Sequence, residues 1–587
     1  VTPKADTISF EYNAVNELVK KTLPGSLLTN YGYDTVGNLT SLTDSDSALT
    51  MTYDGTNRLL TTKTDGSPNQ PSVTLTYTYD KNGNRLTAGD STGTNTSVYD
   101  VLNRLTSLTS PAGSFTFNYD ALSRRTSLTL PNGTSTIYSY DPASQVTNIL
   151  HQITASATQI NKADYLYNGV GNRTSLTDRR GPQAFGYDTL DRLTSASHPL
   201  LGTPQAFAYD PVGNRTTGDS VVNAGNQLTA DANHAYVYDD NGNLTRKTLL
   251  ATGNYTQYTY DAENRLTKVE DFVAGNPTPA ATSTYRYDGL GRRIEKVANG
   301  QTKRYIYDGE DILLEYDGAN VLQARYTHGP GIDEPIAMTK GGSTFFYHQD
   351  GLGTVTDLSD SAGATAKSYS YDAHGNIVDQ TGTVDQPYTY TGREFDSESG
   401  LYYLRARSFD PIAGRFFQKD PIGLRGGLNL YRYAFDNPVR FTDPRGTDVW
   451  AGFEGSGIVM AGIGGFQGGG GTMINTDTGE WCGFTLTCGR VGLGLILGAG
   501  GKGFGQLFAP RCGKDGGGWS VALAGDIIVP GFSGFGGSVG GGGSLGVGAA
   551  VGPDVGAGIA AGVDFCYVKI QGCVNTPPDC QDCSKSK

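Results

Sequence analysis

Two short segments carry the chemistry that this chain could do: Asp420-Pro421-Ile422-Gly423 and Asp443-Pro444-Arg445-Gly446. Each offers one carboxylate on a tight turn. Two carboxylates brought to one site cannot both ionise cheaply, so one holds a proton while the other can activate water. A nearby arginine can polarise a carbonyl or set the pKa of the pair. The same residues also make good turns without chemistry: Asp accepts backbone N–H bonds, Pro presets φ, and Gly takes φ > 0. Other catalytic patterns lack support. No Gly-x-Ser-x-Gly nucleophile elbow occurs. His328, His348 and His374 are scattered, as packing or surface histidines are. The glycine runs 468–471 and 540–543 lack the Gly-Lys-Ser/Thr of a phosphate loop and read as turns.

The elements that must position these turns come from a repeat. Tyr31-Gly-Tyr-Asp-Thr-Val-Gly-Asn-Leu39 recurs as Tyr77-Thr-Tyr-Asp-Lys-Asn-Gly-Asn-Arg-Leu86, Phe117-Asn-Tyr-Asp-Ala-Leu-Ser-Arg-Arg125 and Phe207-Ala-Tyr-Asp-Pro-Val-Gly-Asn-Arg215. Tyr258-Thr-Tyr-Asp-Ala-Glu-Asn-Arg-Leu266 and Tyr285-Arg-Tyr-Asp-Gly-Leu-Gly-Arg-Arg293 continue it. Aromatic-x-Tyr alternates with period two, which puts both rings on one face of a strand. Asp opens a turn by accepting N–H bonds two residues on. Gly-Asn tolerates φ > 0, and Arg-Leu-Thr begins the return strand. Each copy is therefore a β-hairpin that cannot bury its aromatic face alone, and stacked copies make one long sheet. The expected fold class is all-β.

The repeats resemble the YD repeats of Rhs proteins, of the B and C components of ABC-type insecticidal toxin complexes, and of the teneurin ectodomain. Residues 347–446 resemble the Rhs repeat-associated core: Gly392-Arg-Glu-Phe-Asp-Ser-Glu-Ser-Gly-Leu-Tyr-Tyr-Leu-Arg-Ala-Arg-Ser-Phe-Asp-Pro411, then the two Asp-Pro-x-Gly motifs. The resemblance implies a hollow spiral cocoon over 1–346, a self-cleaving core over 347–446, and a variable cargo or effector domain over 447–587. It implies that Asp420 and Asp443 are an intramolecular aspartyl protease pair, that Arg407 is their supporting cation, and that the scissile bond is Thr447–Asp448. Any enzyme activity would be a single-turnover self-cleavage. Relatives usually carry Leu where Thr447 stands, a departure that bears on the bond and its cleavage. The implied role is a secreted toxin whose shell encloses its own C-terminal segment. The implied partners are an N-terminal delivery module or secretion apparatus and an immunity protein. The alternative is an extracellular structural or adhesive surface protein, binding carbohydrate or another partner, with a disulfide-stapled, non-enzymatic C-terminal domain.

Composition limits the remaining choices. The net charge of −13 makes the chain a poor candidate for non-specific nucleic-acid binding, which needs Lys and Arg. No stretch of 18 or more apolar residues is present to form a helical membrane span. Val1-Thr2-Pro3-Lys4 lacks both a Met and an apolar signal region, so a processed product or a piece of a longer protein is expected. The seven cysteines, Cys482, Cys488, Cys512, Cys566, Cys573, Cys580 and Cys583, all lie in the glycine-rich tail. Their density suggests disulfides and an extracellular location, with one cysteine left over. Cys580 and Cys583 have CxxC spacing, but no second CxxC and no tail histidine completes a zinc set, and no cofactor is implied. Tail stretches such as 491–500 alternate apolar residues with Gly. That suits close-packed strands or a membrane-active barrel, so membrane contact by the tail stays open beside a structural role and an unseen enzyme.

Overall fold

The computed structural model describes residues 2–66 and 70–447, and beyond them the backbone of short strands between 449 and 573. The chain divides into two compact units, Val1–Glu454 and Gly455–Lys587. Among the described residues there is no α-helix. The first unit is built of antiparallel sheets whose strands pair in chain order. A 19-stranded sheet runs from Ser9 to Ala206, a 16-stranded sheet from Val221 to Thr381, and a four-stranded sheet from Glu394 to Phe416. Together they form the β-cocoon expected from the family resemblance.

The repeat explains the wall. In strand Gly113–Tyr119, Phe115 and Phe117 are buried while Thr116 and Asn118 face solvent. Burying each such ring contributes roughly 1.5–3 kcal/mol. Asp80 is typical of the turn: its Oδ1 accepts the N–H groups of Asn82 and Asn84, each at 2.8 Å. Only the third residue after each Asp takes positive φ, as at Gly37, Asn57, Gly83 and Asn103, so one left-handed position suffices per turn.

Neighbouring repeats are tied by two contacts. The tyrosine before the Asp donates its hydroxyl to the preceding hairpin: Tyr53 to the Leu39 carbonyl at 2.9 Å, Tyr79 to Leu59 at 2.8 Å and Tyr119 to Leu105 at 2.8 Å. Where Arg stands four residues after the Asp, it pairs with that Asp and reaches forward to the next turn. Arg58 bonds the Asp80 carbonyl at 2.7 Å and Arg104 the Asp120 carbonyl at 3.1 Å.

The two large sheets share cores. Phe115, Phe117 and Tyr165 of the first pack with Ile336, Ala337 and Phe346 of the second. Leu75 and Tyr77 pack with Ile306 and Leu314. Buried ion pairs join distant parts of the unit: Arg125 with Glu334, Lys247 with Asp410 at 2.8 Å, and Arg293 with both Glu394 at 2.7 Å and Asp396 at 2.5 Å.

In the second unit, Gly471–Ile474, Trp481–Val491, Val563–Cys573, Leu545–Gly548 and Gly536–Ser538 form a five-stranded antiparallel sheet, in that order. Its register sets Cys482 opposite Cys573 and Cys488 opposite Cys566. Asp448, Cys512, Cys580 and Cys583 lie outside the described residues.

Candidate active site at the closing segment

The site is assembled by the small sheet that follows the wall. Strands Leu401–Leu404 and Arg407–Asp410 pair antiparallel, with Leu404 opposite Arg407. The two residues between them, Arg405 and Ala406, make the turn, and Arg405 takes φ +52°. A left-handed non-glycine residue costs about 1–3 kcal/mol, so its surroundings must over-determine it.

Arg407 enters a site almost closed to solvent. Its Nη2 lies 2.9 Å from Asp420 Oδ2 and 3.1 Å from Asp443 Oδ2. The three side chains are 2%, 7% and 2% exposed. One guanidinium nitrogen thus bridges the two carboxylates named from the sequence. Arg407 Nη1 bonds the Leu430 carbonyl at 3.1 Å, and its carbon centre sits 3.6 Å from the centroid of the Phe416 ring. Burial pushes the Arg407 guanidinium below its usual range, while the charges of Asp443 and Asp420 oppose that shift. Guanidinium keeps its proton in such a setting, so it can offset the repulsion between the two acids.

Each Asp is held by its own turn. Asp420 Oδ1 accepts the Ile422 N–H at 3.0 Å, and a Cβ on Gly426 would lie 2.6 Å from Asp420 Oδ2, so only glycine permits that approach. Asp443 Oδ1 accepts the Thr447 N–H at 2.9 Å. Arg407 Nε donates to the Gly446 carbonyl. The peptide unit between Gly446 and Thr447 is therefore held on its oxygen by the cation and on its nitrogen by a carboxylate. Thr447 lies at this site, and the far side of the expected scissile bond falls on Asp448, outside the described residues.

Sequence reasoning missed part of this site. Arg405 Nη1 donates to the Pro444 carbonyl at 2.6 Å, and its Nη2 bonds Asp333 Oδ1 at 2.7 Å. Asp333 also accepts from Arg393 Nη1 at 2.6 Å. Burial alone would raise the Asp333 carboxyl, but Arg393 and Arg405 hold it below the usual range. The available signal was the second arginine in Leu404-Arg405-Ala406-Arg407. Nothing in the sequence pointed to Asp333. The three histidines serve packing: His348 bonds Ser359 Oγ at 2.8 Å, His374 packs on Phe207, and His328 bonds the Ile312 carbonyl at 3.0 Å.

Comparison with known proteins follows the same lines. The chain is 37% identical over 302 residues to the tRNA3(Ser)-specific nuclease WapA of Bacillus spizizenii, covering 48% of this chain and 12% of that protein. It is 32% identical over 323 residues to double-stranded DNA deaminase toxin A of Burkholderia cenocepacia, covering 48% and 22%. The Pseudomonas aeruginosa toxin protein Tse5 is 28% identical over 354 residues, with 48% and 26% covered. The matched region is thus a minor part of each relative. Among solved structures, the TcdB2-TccC3-Cdc42 crystal structure matches with a TM-score of 0.58 at 18% identity, over 75% of this chain and 26% of that one, which shows the shared shell fold. The Teneurin YD-shell family model matches residues 1–127 and 113–439. The chain belongs to the Teneurin YD-shell family.

Proposed function

We propose that this chain is the shell and self-cleaving core of a secreted Rhs-type toxin, which encloses its C-terminal segment and severs it once, in cis. The observation that carries the reading is the shared guanidinium: Arg407 Nη2 contacts both Asp420 and Asp443, and Asp443 also holds the Thr447 N–H. In this scheme a water adds to the Thr447 carbonyl carbon. One carboxylate takes the water's proton, the C–N bond to Asp448 breaks, and the partner acid protonates the leaving amine. Arg407, bonded to the preceding carbonyl, orients the segment and offsets the developing negative charge.

A shell gives this reaction a purpose, because a cut made inside a wall frees the cargo covalently before the wall opens. The toxin and nuclease names of the relatives support a toxic C-terminal domain. Its target, an immunity partner and a delivery module upstream belong to the same proposal, as do an extracellular location and disulfides in the tail. Intact mass under denaturing conditions tests it. Wild type is expected as two polypeptides, the second beginning at Asp448, and Asp443→Asn as one uncut chain. A wild type that stays whole refutes the assignment.

A further inference from the structure

The loop between strands Leu401–Leu404 and Arg407–Asp410 does more than deliver Arg407. Three successive residues of it bond three successive carbonyls of the segment before the expected cut. Arg405 Nη1 donates to the Pro444 carbonyl at 2.6 Å, the Ala406 N–H to the Arg445 carbonyl at 3.1 Å, and Arg407 Nε to the Gly446 carbonyl. Gly446 fits closely against this loop, since a Cβ there would lie 2.5 Å from the Leu404 carbonyl oxygen. The turn is thus gripped along its backbone.

The grip is anchored outside the closing segment. Asp333, in the corner between wall strands Leu322–His328 and Pro335–Lys340, pairs with Arg405 at 2.7 Å and with Arg393 at 2.6 Å. Glu310, in the turn between wall strands Gln301–Asp308 and Asp311–Asp317, accepts from Arg445 at 3.2 Å and approaches Arg405 at 3.7 Å. The wall therefore fixes Arg405 in its left-handed conformation and, through it, the height of the segment over the two carboxylates.

We infer that Arg405, anchored by Asp333, is a positioning residue for self-cleavage: it holds the 444–446 backbone in register with Asp420 and Asp443. This rests on the cleavage reading above. Arg405 contacts the Pro444 carbonyl and Asp333 in turn holds Arg405, so both act through placement.

Cell-free synthesis of the full chain, followed over time on a gel, reads the rate. Arg405→Ala should slow cleavage about a hundredfold, the cost of a displacement near 1 Å, with the same bond cut and the same pH profile. Arg405→Lys should recover part of the rate, because one N–H can still reach the Pro444 carbonyl. Asp333→Asn should slow cleavage, and its effect should not multiply with that of Arg405→Ala. Wild-type rate in Arg405→Ala, a shifted pH profile, or fully multiplicative effects would overturn the inference. A second measurement is independent of cleavage. In full-length Asp443→Asn, adding Arg405→Ala should speed amide hydrogen exchange of residues 445–447 about tenfold or more, which corresponds to about 1.4 kcal/mol of lost local stability. Unchanged exchange overturns the inference even if wild type is never cut.

Discussion

Removing the Arg293 guanidinium should be among the most damaging single changes to the wall. Its side chain is 2% exposed and pairs with Glu394 at 2.7 Å and Asp396 at 2.5 Å, joining the second large sheet to the closing segment. Arg293→Met keeps most of the aliphatic volume and removes the charge. Asp396 retains Lys296 at 2.9 Å, whereas among the described residues Glu394 keeps the looser Arg393 contact at 3.6 Å. The loss then resembles one broken buried pair, about 3–5 kcal/mol. Part of it comes from the cation–π contact with Tyr403, whose ring centroid lies 4.2 Å from the Arg293 guanidinium carbon. Urea unfolding followed by aromatic fluorescence measures the midpoint, converted with the wild-type slope. Lys63→Met serves as a control, because its pair with Asp65 is 44% and 41% exposed and should be worth no more than about 1 kcal/mol. Acid provides a second check. Burial would raise the Asp396 carboxyl, but Arg293 and Lys296 hold it below its usual value. The stability this contributes is complete above about pH 4 and is lost as the pH falls through the lowered value. In Arg293→Met the Asp396 carboxyl can protonate earlier, so the gap from wild type should narrow from pH 7 towards pH 4. A loss below about 1 kcal/mol at pH 7 would refute the reasoning, since that is what a solvated pair contributes.

Two further outcomes follow. His151 and His348 meet edge to face in the core with ring centroids 5.0 Å apart, and burial lowers both, His151 to about 4. A depressed histidine contributes stability above its unfolded value of about 6.5, and that contribution is lost as pH falls towards the folded value. Unfolding between pH 7 and pH 4.5 should therefore be less pH-dependent in His151→Gln than in wild type, and an identical slope would show that the pair contributes nothing. For the tail, peptide mapping of the exported full chain without reductant should link Cys482 to Cys573 and Cys488 to Cys566, the pairs set opposite by strand register. Maleimide labelling of all four thiols would refute that pairing.

Much of the wall was legible because its physics is local. Aromatic-x-Tyr-Asp sets the face, the turn and the return strand within nine residues, and Asp80 and Phe117 behave as that reading requires. The forward reach of Arg58 to the Asp80 carbonyl was not legible, because it depends on how one hairpin sits beside the next. Strand Asp311–Asp317 hid its role for a related reason. It is buried at Ile312, Leu313 and Leu314 in succession, as strands covered on both faces are, so no alternation marks it. At the site, Asp420, Asp443 and Arg407 could be picked out because they stand in a signature. Arg405 gains its role from Asp333, 72 residues earlier in the chain, and that partnership exists only once the wall has formed.

The forward-reaching arginines also bear on how such a wall can change length. Where Arg stands four residues after the Asp, the turn is bonded to its successor through a backbone carbonyl, which every repeat possesses; where Asn stands there, as at Asn84, it bonds the side chain of Asn103 in the next turn instead. A hairpin inserted after an Arg-bearing turn would still offer the carbonyl that its donor needs. Along this rim the wall behaves as a zipper of interchangeable teeth, lengthened by recombination within the coding sequence while the closing segment, with its unique partners, stays fixed.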